Sequence, residues 1–141
     1  MSRQTRRGAP KRTITSRAVR KELLVFVEGA RTEADYLTAW HREYRDTVTV
    51  TIDPFHGGPL QLVERAIEAM NGEGRDARRC RGRAHDEYWC MFDRDEHPNV
   101  PDALSKALGA GVGVAFSNPC VELWFLLHFR TPRLRLPAHH R

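Results

Sequence analysis

The 141-residue chain has three cysteines, Cys80, Cys90 and Cys120, too few and too scattered for a disulfide framework or a paired-cysteine zinc site. No apolar run approaches the roughly 20 residues that cross a bilayer. The basic start lacks the apolar middle of a secretory signal. No Gly-x-x-x-x-Gly-Lys loop supports chemistry on nucleotide phosphates. Acids are missing altogether from residues 1–21. A secreted, disulfide-stapled scaffold and a membrane-spanning chain are thereby excluded, and the expectation is a cytoplasmic protein with no membrane contact. Cys90 and Cys120 lie among apolar neighbours and read as small buried hydrophobes.

A hydrophobic content of 40% beside 29% charged residues fits a soluble globular protein, and this length makes one domain rather than two. The net charge of +5 conceals an asymmetry. Residues 1–21 hold eight Lys or Arg, leaving 15 basic against 18 acidic residues beyond them, a balance of −3. A basic, apolar-poor tail of this kind meets phosphate backbones through counterion release, or simply solubilises the chain. The expected organisation is a disordered tail over 1–21, a folded domain over 22–130 and an extension over 131–141. The last segment ends without a cap or strand, as in a fragment of something longer.

"LLVFV" (23–27) is an uninterrupted apolar run suited to a strand buried on both faces. After Glu28-Gly29, "TEADYLTAWHREYR" has helical periodicity, with Thr32 as N-cap and Asp35 as the capping-box acid. "TVTVTI" (47–52) is β-branched and reads as a second strand. Pro59 opens a helix whose apolar stripe is Leu60, Val63, Ala66, Ile67 and Met70, stopped by Asn71-Gly72. Residues 73–86 are an Arg-rich loop or frayed extension. "EYWCMF" is a third strand, 102–108 a short helix ended by Gly109, and "VGVAF" (112–116) a fourth strand. "SNPCVELWFLLHF" makes a last helix, capped by Ser or Asn, with Trp124, Phe125, Leu126 and Leu127 in the core and His128 buried. Strands alternating with helices predict an α/β fold: a mainly parallel four-stranded sheet flanked by helices in three layers.

In such sheets sites gather beyond the carboxyl ends of the strands. The strands deliver Glu28 from the first, Asp93 and Asp95 from the third, and Ser117 and Asn118 from the fourth. Asp93 and Asp95 are two apart, so in extended chain both point the same way. Like charges held together call for a cation, and hard oxygen donors suit Mg²⁺ or Mn²⁺. A solvated, strand-ending turn is the other reading. The cluster Arg75, Arg78, Arg79, Arg81 and Arg83 either tracks a nucleic-acid backbone beside the acids or forms a solvated loop.

Taken together, "FVEGARTEADY", "FDRDEH" and "SNPCVELWFLLHF" resemble the RloB-like family, a Toprim branch associated with phage defence, from about Leu23 to Phe129. The resemblance implies a Toprim-like, Rossmann-like fold and a magnesium-dependent nuclease acting on DNA or RNA, the effector of an abortive-infection-like system, often restrained by a genetically linked ATPase. It implies Glu28 as general acid/base that also touches metal, Asp93 and Asp95 as metal ligands, and Glu33 as a second-metal ligand or a helix-start acid. Gly29, His97, Ser117, Asn118 and Glu122 would shape the site, His97 and Glu122 having plain loop and helix-start roles as alternatives. The rival function is a catalytically inactive Toprim-fold module that binds nucleic acid or a partner ATPase.

Overall fold

The computed structural model describes residues 19–94 and 97–129. Among these residues eight elements alternate: β1 (Lys21–Val27), α1 (Thr32–Tyr44), β2 (Val48–Ile52), α2 (Pro59–Arg78), β3 (Glu87–Asp93), α3 (Val100–Ala110), β4 (Gly113–Ser117) and α4 (Glu122–Phe129). All pairings are parallel, in the order β2-β1-β3-β4. The registers align Val25 with Ile52, Val27 with Met91 and Asp93 with Ser117.

Alternation along β1 divides its apolar run between two faces. Leu24 and Phe26 join Tyr88, Cys90 and Phe92 under Leu62, Val63 and Ala66 of α2 and Ala103 and Ala107 of α3. Val25, Val27 and Met91 face the opposite way, toward Tyr36 and Leu37 of α1, Val121 just before α4 and Phe125 within it. This is the expected three-layer α/β arrangement, consistent with a Toprim-like fold. Complete burial of Phe26 and Phe92 contributes about 1.5–3 kcal/mol each.

Several element ends differ from the sequence expectation. Lys21 is not part of the tail: it opens β1 and pairs with Glu87. Arg31, not Thr32, takes the N-cap of α1, without a side-chain cap bond. α2 passes through Asn71-Gly72 to Arg78 because Glu73 is anchored by Tyr88 and His85 of the neighbouring segment. Those contacts outweigh the cost of about 1 kcal/mol per helical Gly. α3 ends at Ala110 rather than before Gly109, and Gly111 turns left-handed (φ 79°) as its cap.

The largest correction concerns α4, which starts at Glu122, after the Asn118-Pro119 stretch rather than within it. Phe125 packs against Tyr36 with ring centroids 5.3 Å apart, but Trp124 is 47% and Leu126 62% exposed. These are not core residues, since among the described residues no element covers the outer side of α4. His128 is also exposed, its Nε2 lying 3.3 Å from the Tyr36 hydroxyl. Cys90 is buried as expected, its thiol pushed up to about 12 by desolvation, while Cys120 is only half-buried.

Candidate active site at the carboxyl edge of the sheet

The chain leaves β1 for β2 on one side and then crosses to β3 on the other, so strand order reverses between β1 and β3. That reversal opens a crevice at the carboxyl edge of a parallel sheet. Glu28 and Asp93 stand on its two walls. The ladder carries on one residue past β1, with the Glu28 N–H donating to the Met91 carbonyl at 3.1 Å. The Glu28 carboxylate then reaches over the end of β3 and accepts the Asp93 backbone N–H at 3.2 Å. Its other oxygen accepts from Nε2 of His97 at 2.6 Å, which assigns the His97 ring proton to that nitrogen.

Glu33, in the first turn of α1, is 6% exposed. Its carboxylate lies directly against the Glu28-Gly29 turn, where a Cβ on residue 29 would collide with it. Gly29 is therefore needed for close approach. The carboxyl group of Asp93 is held above its usual range, first by burial and then by the negative charges of Glu33, Glu28 and Glu122, which outweigh the opposing backbone N–H of Val121. Glu122 itself sits at the exposed start of α4, its own carboxyl lowered by a hydrogen bond from Cys120. Among the described residues neither Glu33 nor Asp93 forms an ion pair with Lys or Arg.

Ser117 is buried (2%) opposite Asp93, and its carbonyl accepts the Arg94 N–H at 2.8 Å, which closes the β3 end against β4. Asn118 is exposed at the same edge, as is Arg94, which has no ion pair among the described residues. Asp95 lies outside the described residues. Asp53, at the end of β2, shows what a merely structural strand-ending Asp does: its side chain accepts the Phe55 N–H at 2.9 Å in a local turn. Among the described residues Asp93 has no such local task; its carboxylate accepts the backbone N–H of Val121 instead.

One residue escaped the sequence reading. His56, in the loop after β2, places Nδ1 3.3 Å from the Val27 carbonyl. A carbonyl can only accept, so Nδ1 carries the proton and Nε2 is left as the basic nitrogen. The available signal was a histidine just past the end of a strand neighbouring β1.

The five arginines are not beside the acids. They lie in the last turn of α2 and the chain leading into β3, at the amino edge of the sheet. α2 starts at the carboxyl edge and runs back across the sheet, so its basic end must be remote from its start.

Whether the acids suit Mg²⁺ or Mn²⁺ turns on donor chemistry and number. Carboxylate oxygens, one of them buried without a cation, are the right donors. Among the described residues, no group of three His, Cys, Asp or Glu is arranged to hold a metal ion. Mg²⁺ does not demand such a cage, since it keeps several waters and takes one or two carboxylates plus substrate phosphate. The donor set fits on that basis. No helix among the described residues is long and apolar enough to cross a membrane.

No curated protein and no solved structure matches the chain. A family model described as RloB-like protein matches residues 23–140, and the chain belongs to the RloB-like family.

Proposed function

We propose that this domain is a Mg²⁺- or Mn²⁺-dependent Toprim-type nuclease that cleaves phosphodiester bonds, serving phage defence under the control of a partner ATPase. One observation carries the reading: Asp93 is raised by burial among Glu28, Glu33 and Glu122 at the switch point, with no Lys or Arg pairing to Asp93 or Glu33 among the described residues. A fold that tolerates this repulsion gains from a cation, and strained electrostatics in a crevice mark a working site.

Asp93, with Asp95 and Glu33, would hold the metal. When bound, such an ion neutralises charge on the nonbridging phosphate oxygens. Glu28 is placed for the proton. Both its oxygens are oriented by donors, from Asp93 N–H and His97, which fixes the carboxylate beside the acids and leaves lone pairs for an attacking water. Glu28 takes the water's proton as its oxygen bonds to phosphorus. The bond from phosphorus to the departing oxygen breaks in the same step and that oxygen takes a proton from solvent. His97, whose Nε2–H already donates to Glu28 at 2.6 Å, holds the carboxylate in place.

The test is a cleavage assay on DNA and structured RNA with Mg²⁺ or Mn²⁺. Asp93→Ala should reduce the rate by at least about 100-fold, as loss of a metal-supporting group does. Equal rates for wild type and variant overturn the assignment. The binding-module reading is favoured by the lack of a three-donor group among the described residues. Calorimetry separates the two, because the module binds nucleic acid yet gives no heat with millimolar Mg²⁺.

A further inference from the structure

Arg75 and Arg78 occupy the last turn of α2, and Arg79 caps it. Spacings of three and four put them on one face of the helix. The chain then reverses by a built device rather than a slack loop. Cys80 adopts a left-handed conformation (φ 55°). The Arg81 N–H bonds the Asp76 carbonyl at 2.9 Å and the Cys80 N–H bonds the Ala77 carbonyl at 3.1 Å, the paired bonds of a Schellman motif.

The returning segment is fastened by Glu73. That carboxylate accepts the His85 backbone N–H at 3.0 Å, the His85 ring at 2.8 Å and the Tyr88 hydroxyl at 2.6 Å. Burial opposes its charge, but these bonds outweigh burial and keep the carboxyl below its ordinary range. Glu73 is thus engaged away from the arginines, and Asp76, between Arg75 and Arg78 in the chain, pairs with none of them among the described residues. Asp86 accepts the Glu22 N–H at 2.7 Å, Glu87 pairs with Lys21, and Glu22 lies 4.0 Å from Arg83. Arg75, Arg78, Arg79 and Arg81 are exposed and pair with no carboxylate among the described residues. β1 begins at this same edge, so residues 1–20, with seven Arg and Lys and no acid, join the domain here.

We infer that this arginine turn is a docking surface for the phosphate backbone of a nucleic acid, separated from the carboxylate edge, so that one nucleic acid engages both only by running along the domain. The turn uses five Arg and no Lys, and the planar guanidinium binds phosphate through two parallel donors. The 20 residues of α2 separate the two edges by about 30 Å, or about nine base pairs. The length dependence of cleavage rests on the nuclease reading; docking at the turn does not.

The experiment compares wild type with a variant carrying Ala at positions 75, 78, 79, 81 and 83, its folding checked by circular dichroism. Arg78→Glu with Arg79→Glu repeats it with a smaller change. Binding is read by fluorescence anisotropy in chelator across a salt series, on hairpins with stems of about six and about 30 base pairs. The five-site variant should lose at least about 10-fold in affinity for the long stem, and its log–log salt slope should fall in magnitude by about four. With Mg²⁺, cleavage of the short stem should be unchanged while cleavage of the long stem at subsaturating protein drops. An unchanged slope, equal losses on both stems, or displacement by polyglutamate as effective as by unlabelled hairpin overturns the docking surface. Loss of binding with no cleavage by any protein supports the docking surface and overturns the nuclease reading instead.

Discussion

The two edges of the sheet treat like charges in opposite ways. At the carboxyl edge, acids are drawn together in a crevice and, among the described residues, Glu33 and Asp93 have no Lys or Arg partner, so that Asp93 is pushed toward its neutral form. At the amino edge, arginines are spread on an exposed turn while the neighbouring Glu73 is consumed by a structural brace. Buried repulsion costs stability and is kept where chemistry needs it, whereas solvated repulsion costs little. A crowded acidic crevice and an exposed basic turn are therefore different kinds of electrostatic feature.

The sharpest way to break this contrast is Asp93→Asn. Hydrolysis should fall by at least about 100-fold, while metal-free thermal stability at neutral pH should rise. The sign follows from the shift. Folding raises a carboxyl whose ordinary value is 3.8, so its destabilisation is absent below that pH, grows as pH rises to the folded pKa, and is complete above it. The melting difference between wild type and variant should accordingly vanish in acid, and Mg²⁺ should raise the melting temperature of wild type alone. A variant no more stable than wild type in metal-free buffer at neutral pH contradicts buried repulsion at this edge.

At the other edge, Tyr88→Phe removes the 2.6 Å bond to Glu73 and should destabilise the fold by about 1.5–3 kcal/mol in urea titrations, leaving the Mg²⁺ response intact. A lost Mg²⁺ response would mean that the edges are coupled. Gly29→Ala crowds the Glu33 carboxylate and should cost about 1–2 kcal/mol, with weaker Mg²⁺ binding by calorimetry; unaltered binding removes Glu33 from the metal set. The smallest effect is Cys80→Gly. Relief of the left-handed Cys, worth about 1–2 kcal/mol, less the extra chain entropy of Gly, should stabilise by about 0.5–1 kcal/mol in urea titrations and leave salt-dependent binding unchanged. A destabilised variant would mean that the Cys80 side chain holds the turn.

Much of this molecule can be read locally. The apolar run at 23–27 and the β-branched run at 47–52 become β1 and β2 because period and propensity agree with burial. Glu28, Asp93 and Ser117 fall at strand ends as expected, since a parallel sheet puts every strand terminus of one sense on one edge. Where distant chain decides, local signals mislead. Asn71-Gly72 is a stop signal overridden by Glu73's bonds to residues 12 and 15 positions later. Trp124, Leu126 and Leu127 of α4 look like core but lie exposed where no described element covers them. His56 matters only through a carbonyl 29 positions earlier.

By itself, then, the sequence determined the element types, the parallel α/β class and the presence of acids at strand ends, because these depend on periodicity and turn chemistry within a few residues. Only the tertiary structure decided which charges meet. Strand order places Glu28 against Asp93, the first turn of α1 brings Glu33 to the same crevice, and the 20-residue span of α2 carries the arginines to the far edge. Electrostatic interaction depends on distance and burial rather than on position along the chain, so no reading of neighbours in sequence can separate the two edges.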